Sequence, residues 1–281
     1  MPTPEEFTGP TTELLQALIR NECVNDGTPD SGEETRNSDL LVTYLEGAGL
    51  EVERFTPRPG RDSMVARIEG TDPEAPSRCL MGHTDVVPVN PDGWRNDPFG
   101  GEVIDGEVWG RGAIDMLNLT SSMAVAFRRL AAEGFRPRGD LIYFGVGDEE
   151  AGGTWGAEWM VEHHWDAIGA DYVLTELGGW SSVGHDGHRT VTVNVGEKGL
   201  AWRRLRVHGT PGHGSMPFGA DNALIKAAEI VRRLSAFRSA AHIDDIWRAQ
   251  VAAMDLPDGI RDGLTSTETI FATLEQMPVP V

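Results

Sequence analysis

Cysteine is almost absent from this chain: 281 residues include two, Cys23 and Cys79. Two thiols cannot build a disulfide framework, and they lack zinc-finger spacing, so a metal site would have to use histidine and carboxylates. Both are expected to be reduced and partly buried. Positive charge is also scarce, with 24 Lys and Arg against 44 Asp and Glu and a net charge of −20. Such a surface repels nucleic acid and anionic membranes, so neither is expected as a partner. No run of about 18 apolar residues exists to span a bilayer. The segment Met1–Leu15 is acidic and lacks the apolar stretch of a signal peptide, which makes a cytoplasmic location the expectation. What is present, 40% hydrophobic and 24% charged residues, is a globular composition.

Periodicity sets the coarse architecture. Leu14, Leu15, Leu18 and Ile19 have helical spacing behind a cap at Thr11 or Thr12, and a second helix is expected over Ser38–Ala48. Strand-like runs follow at Glu51–Phe55, Ser63–Ile68 and Arg78–Gly82. Thr84–Gly112 reads as long loops with a short hairpin at Glu102–Trp109. Then come a helix over Met116–Glu133, a strand over Asp140–Gly147, a helix over Thr154–His164 and a strand over Ala170–Thr175. Strands alternating with helices predict an α/β fold whose mixed sheet is flanked by helices. Near Thr190 the pattern changes to two longer strands, Thr190–Val195 and Leu200–Gly209, and a helix over Asp221–Phe237. That order predicts a second, smaller α+β domain, with residues 1–192 in the first and 193–281 in the second.

Metal-ligand residue types concentrate in four short segments: Gly82-His83-Thr84-Asp85, Asp115, Gly147-Asp148-Glu149-Glu150, and Glu176. Each follows a predicted strand or opens a helix, where open α/β sheets build ligand sites. Taken singly they have ordinary explanations. A histidine after a strand is usually structural, an Asp before a helix is usually an N-cap, and a Glu-Glu pair is usually a solvated turn. Their joint occurrence at strand ends is what shifts the balance.

The same residues carry a family resemblance. His83-Thr84-Asp85-Val86-Val87-Pro88, Trp94 with Asp97-Pro98-Phe99, and Gly110-Arg111-Gly112-Ala113-Ile114-Asp115-Met116 resemble the M20 metallopeptidases, a family of aminoacylases, succinyl-diaminopimelate desuccinylases and glutamate carboxypeptidases. Gly147-Asp148-Glu149-Glu150 with Gly152-Gly153 is similar to its acidic motif. Gly196-Glu197-Lys198-Gly199 and Gly212-His213-Gly214-Ser215-Met216-Pro217 are similar to the start of its lid. The spacings, 32 positions from His83 to Asp115 and 26 from Glu150 to Glu176, also fit. The resemblance runs from Val24-Asn25 to about Asn222-Ala223.

The resemblance implies a zinc-exopeptidase-like catalytic domain with an inserted α+β lid that also dimerises. It implies two zinc ions, with cobalt or manganese as alternatives. His83 and Glu176 would bind one metal, Glu150 the other, and Asp115 would bridge them. Asp85 would orient the His83 imidazole. Glu149 would be the general base acting on a metal-bridging water. His213 would reach the site of a partner subunit and stabilise the oxyanion, so a homodimer is implied, and Asn222 would touch substrate. The expected substrates are small acyl-amino acids or short peptides, because Glu at 176 resembles the acylase, desuccinylase and carboxypeptidase branches.

Two departures stand out. After Asp115 the family usually has Met-Lys-Gly, here replaced by Met116-Leu117-Asn118. The family's non-proline cis peptide after this Asp costs roughly 3–4 kcal/mol and needs support from its surroundings. The family's last metal-ligating histidine would lie beyond Val281, so a chain incomplete at the C-terminus is expected. The alternative to an active hydrolase is then a catalytically inert truncated fragment that keeps partial metal binding or dimerisation. A different di-metal aminopeptidase on the same sheet is a third reading, and the lid motif around His213 speaks against it.

Overall fold

Alternation of apolar side chains sorts the central strands onto two packed layers. Strand β1 (Val52–Arg58) pairs antiparallel with β2 (Arg61–Ile68). Strands β3 (Arg78–His83), β6 (Leu141–Val146) and β7 (Tyr172–Leu174) complete a five-stranded sheet in the order β1-β2-β6-β3-β7. β2 runs antiparallel to β6, whereas β3 runs parallel to both β6 and β7. Met64, Ala66, Ile68 and Tyr143 face helices α1 (Glu5–Arg20), α2 (Thr35–Glu46) and α3 (Leu117–Ala132). The intervening Val65, Ile142, Phe144 and Val146 pack with Met160 of α4 (Ala157–His163) and Ile168 of α5 (Trp165–Ile168). This is the period-two division of a sheet covered on both faces. The expected hairpin is present as β4 (Glu102–Ile104) and β5 (Glu107–Trp109). Cys23 and Cys79 are free and buried, and burial pushes both thiols up to about 12.

These elements belong to a computed structural model that describes residues 5–177, 179, 181–183, 187–196, 199 and 201–277. Glu197, Lys198 and Leu200 of the expected lid segment lie outside the described residues. The chain divides into two compact units, Met1–Leu177 and Gly178–Val281. Among the described residues, no helix is long and apolar enough to cross a membrane.

Most elements fall where periodicity predicts them. Helix α1 starts earlier than expected, at Glu5, with Glu5 and Glu6 in its first turn, where acidic residues favour the helix dipole. The second unit differs more. Strand β8 (Ser181–Val183) pairs with β9 (Arg189–Val191), and β9 ends before the expected Val195. The strand expected over Leu200–Gly209 is not formed in the described residues 201–209. Its apolar residues Trp202 and Leu205 are exposed, and an unpaired strand with no apolar surface to cover has little to hold it. Helix α6 (Ala223–Ala236) is close to expectation. Three further helices, α7 (Asp245–Ala253), α8 (Asp258–Leu264) and α9 (Ile270–Leu274), enclose a small core of Val251, Leu264 and Ile270 that periodicity did not reveal.

Register explains how the sheet delivers the ligand-type residues to one edge. His83 stands opposite Val146 at the carboxyl ends of two parallel strands. Gly82 passes so close to α3 that a Cβ there would lie 2.5 Å from Thr120 Oγ1, the hydroxyl that donates to the His83 carbonyl at 2.8 Å. Gly82→Ala is therefore expected to cost about 1–3 kcal/mol through overpacking, read as a lower denaturant midpoint at an unchanged m value. An unaltered midpoint would show that α3 is free to shift away.

Candidate metal centre

His83 is fully buried at 1% side-chain exposure, and its two ring nitrogens have different partners. Nδ1 lies 2.9 Å from the Asp85 backbone carbonyl, which can only accept a hydrogen bond, so Nδ1 carries a proton. In the neutral ring this leaves Nε2 as the lone-pair nitrogen. Nε2 faces Asp115 Oδ1 at 3.1 Å, Glu149 Oε2 at 3.8 Å and Glu176 Oε2 at 3.9 Å. Ligand atoms of His83, Asp115 and Glu176 all lie within 4.8 Å of one another. Asp115 precedes α3, and its peptide bond to Met116 is cis. Buried Met116 accepts the His83 N–H through Sδ at 3.4 Å.

Asp85 meets the His83 ring through its backbone. Its carboxylate lies 3.6 Å from His83 Nδ1, which bonds instead to the Asp85 carbonyl. The carboxylate oxygens accept the backbone N–H groups of Glu149 at 3.2 Å and Glu150 at 3.1 Å, and the Asn25 amide at 2.9 Å. Asp85 thus caps the 3-10 turn Glu149–Ala151 that follows β6. The turn is entered through Asp148 in the left-handed region (φ 65°) and left through Gly152 (φ 100°). It leaves Glu149 about half exposed beside His83, while Glu150 Oε1 is buried with no hydrogen-bond partner. A buried carboxylate oxygen without a donor is costly unless a cation occupies its free side, which fits Glu150 as a ligand.

Electrostatics lead to the same chemistry. Burial raises the carboxyls of Glu150 and Glu176 to about 7, and the neighbouring acids push in the same direction against the pull of His83. Burial likewise raises Glu149. For His83, burial opposes the charge, but Asp85, Glu149, Asp115 and Glu176 outweigh it and the pKa rises. Four carboxylates around one imidazole form a site that holds protons when nothing else neutralises it, and a donor set of one nitrogen and several carboxylate oxygens suits a divalent metal.

His213 belongs to the other unit. It is exposed, with Nδ1 taken by Ser215 through Oγ at 2.7 Å and the backbone N–H at 3.2 Å. Asn222 is the N-cap of α6, its Oδ1 accepting from Leu224 N at 2.8 Å.

A model of peptidase family M20/M25/M40 matches residues 79–266. The chain belongs to this family. It is 34% identical over 232 residues to a succinyl-diaminopimelate desuccinylase of Rhodopseudomonas palustris, covering 79% of this chain and 56% of that protein. It is 37% identical over 236 residues to aminoacylase-1 of Sus scrofa, covering 82% and 54%. The chain therefore spans about half the length of these curated relatives. Its fold resembles an M20 family metallo-carboxypeptidase of Sulfolobus solfataricus, with a TM-score of 0.62 at 17% identity over 98% of this chain and 61% of that one. Human carnosine dipeptidase 1 has a TM-score of 0.52 at 17% identity, with coverages of 99% and 60%. Family membership implies dependence on a divalent metal, and the His83-Asp115-Glu176 cluster offers a place for one.

The site contains more than the sequence reading named. Asn25, Glu34 and Arg61 lie buried behind the Glu149–Glu150 turn. The only sequence signal for any of them was the position of Asn25 at the start of the family resemblance.

A pH dependence follows from the raised carboxyls. In the folded metal-free chain Glu150 and Glu176 keep their protons to about 7, against an ordinary value of 4.5. Folding then binds protons across that window, so stability falls as pH rises from about 4.5 through about 7, and the raised His83 adds a loss in the same direction. The thermal midpoint of chelator-stripped protein is expected to be lower at about pH 8 than at about pH 5. Glu176→Gln, which cannot ionise, should flatten the dependence, and an equally steep variant would show that Glu176 does not contribute.

Proposed function

We propose that this chain carries the metal-binding and proton-transferring residues of a hydrolase that cleaves amide bonds in N-acyl amino acids or short peptides. The observation behind this reading is the convergence of Asp115, Glu149 and Glu176 on His83 Nε2, the nitrogen left free by the Asp85 carbonyl. His83, Asp115 and Glu176 would hold one zinc ion, and Asp115 with Glu150 would take part in holding a second. Bound there, divalent cations would polarise the scissile carbonyl and lower the pKa of a water.

The other steps fall to the chain's own groups. Glu149 is not needed as a ligand, stands beside the cluster and has a carboxyl raised by burial, which favours its taking up a proton during turnover. It would take the proton from the attacking water as the oxygen–carbon bond forms. It would return that proton to the nitrogen as the carbon–nitrogen bond breaks. Asp85 would keep the Glu149 backbone in register and, through its carbonyl, fix the His83 ring.

Residues 193–281 would form part of a lid through which two copies pair, with His213 of one copy serving the site of the other as an oxyanion donor. Supporting this, Ser215 occupies His213 Nδ1 and leaves Nε2 free to donate. An N-acyl amino acid is the favoured substrate class because the similar proteins named above are a desuccinylase and an aminoacylase, and Glu rather than Asp stands at 176.

Two measurements test the proposal on a panel of N-acetyl and N-succinyl amino acids. Glu149→Gln should lower kcat by about 10²–10⁴ while metal content stays at the wild-type level. Unchanged turnover would remove Glu149 as the base, and wild-type protein with neither metal nor turnover would sink the reading. His213→Ala should lower kcat by about 10²–10³ with KM little changed; a variant with wild-type kcat would exclude His213 from the chemistry.

A further inference from the structure

Behind the Glu149–Glu150 turn lies a closed polar network on which the proposed chemistry does not draw. The Arg61 side chain, 3% exposed, donates through Nη1 to Glu34 Oε1 at 2.6 Å, and Glu34 is fully buried. The same Glu34 oxygen accepts the Asp148 backbone N–H at 3.1 Å. Arg61 Nη2 donates to Asn25 Oδ1 at 3.1 Å. The Asn25 amide then divides its donors between Asp85 Oδ2 at 2.9 Å and Asp148 Oδ1 at 3.1 Å. Asp148 Oδ2 accepts Trp155 N at 2.9 Å, which closes the far side of the turn.

Local pairing sets these positions. Cys23 and Asn25 bond with Val86 through their backbones, which lays Asn25 beside Asp85. Arg61 opens β2, and β2 pairs with β6 so that Met64 faces Gly145, three residues before Asp148.

Stability alone does not account for this arrangement. Buried ion pairs contribute little net stability, and this one leaves Glu34 Oε2 and Arg61 Nε buried without partners. Its bonds lead instead to the backbone of Asp148 and, through Asn25 and Asp85, to the backbones of Glu149 and Glu150.

We infer that Arg61, Glu34 and Asn25 are positioning residues that hold the Glu149–Glu150 turn in register with His83. The inference deepens the reading above and rests on it for the roles of the two glutamates. Arg61 is needed for its fork, because Nη1 meets Glu34 while Nη2 meets Asn25 together with the Thr28 carbonyl and the Ser31 hydroxyl.

The test uses the whole chain in two forms, Asn25→Ser and the charge-balanced Glu34→Gln/Arg61→Met. The first cuts the relay but leaves the Glu34–Arg61 pair intact, so it is the milder of the two. Amide hydrogen exchange is followed in metal-free protein. Exchange at the amides of Asp148, Glu149 and Glu150 should rise by about tenfold, the loss of one ordinary hydrogen bond, while amides of β2, β3 and β6 keep wild-type protection. Cobalt(II) titration should then show affinity weakened about 10- to 100-fold, and Arg61→Lys should not restore it. Wild-type protection at 148–150 in both variants would overturn the inference, as would an equal rise throughout the sheet, the mark of a merely structural role. Wild-type chain that binds no cobalt while its variants show the local rise would sink the metal-site reading and leave the anchoring of the turn supported.

Discussion

The Asp85 carboxylate is the constraint on which the site depends. It is buried, and burial raises its pKa against the pull of His83 and the hydrogen bonds it accepts. Those bonds come from Asn25 and from two successive backbone amides of the turn carrying Glu149 and Glu150. Its own carbonyl accepts from His83. One residue therefore ties the end of β3 to the end of β6 and determines which nitrogen of His83 is free. Proximity in the parallel sheet brings the two strand ends together. The hydrogen bonds of Asp85 turn that proximity into a defined geometry.

A second theme is unbalanced charge. Among the described residues, His83 is the one cationic side chain facing Asp115, Glu149 and Glu176, in a chain that is already strongly acidic. Asp115 is 65% exposed, so solvent screens part of the repulsion, while the buried Oε1 of Glu150 is screened less. Such a collection is poorly optimised for stability, as is typical where residues are placed for binding cations and moving protons.

The two units differ in how they are held. In the first, both faces of the central strands are packed, and the site lies at one edge of that rigid scaffold, as precise ligand geometry requires. In the second, the described residues enclose only a small cluster around Val251, Leu264 and Ile270, and α6 has no fully buried residue. Membership of the M20/M25/M40 family accounts for the metal-ligand motifs of the first unit.

Local patterning determined a good deal. Period-two and period-3.6 spacing located most α/β elements of the first unit to within a few residues, because the central strands and the helices that cover them bury apolar faces; the start of α1 at Glu5, well before the expected cap, is the exception. The motifs around His83, Asp115, Glu149, Glu150 and Glu176 were legible because strand-end loops concentrate rare combinations of residue types. Tertiary structure alone decided which oxygen of Asp85 meets His83, since carbonyl and carboxylate share one residue and only the chain's path separates them. It also decided the roles of Glu34 and Arg61, which look like ordinary surface charges in the sequence and become buried partners only when the start of β2 is laid beside the end of β6. The expected strand after Leu200 was misread for the complementary reason: alternation describes a strand's faces, but a strand forms only where another segment supplies its hydrogen bonds.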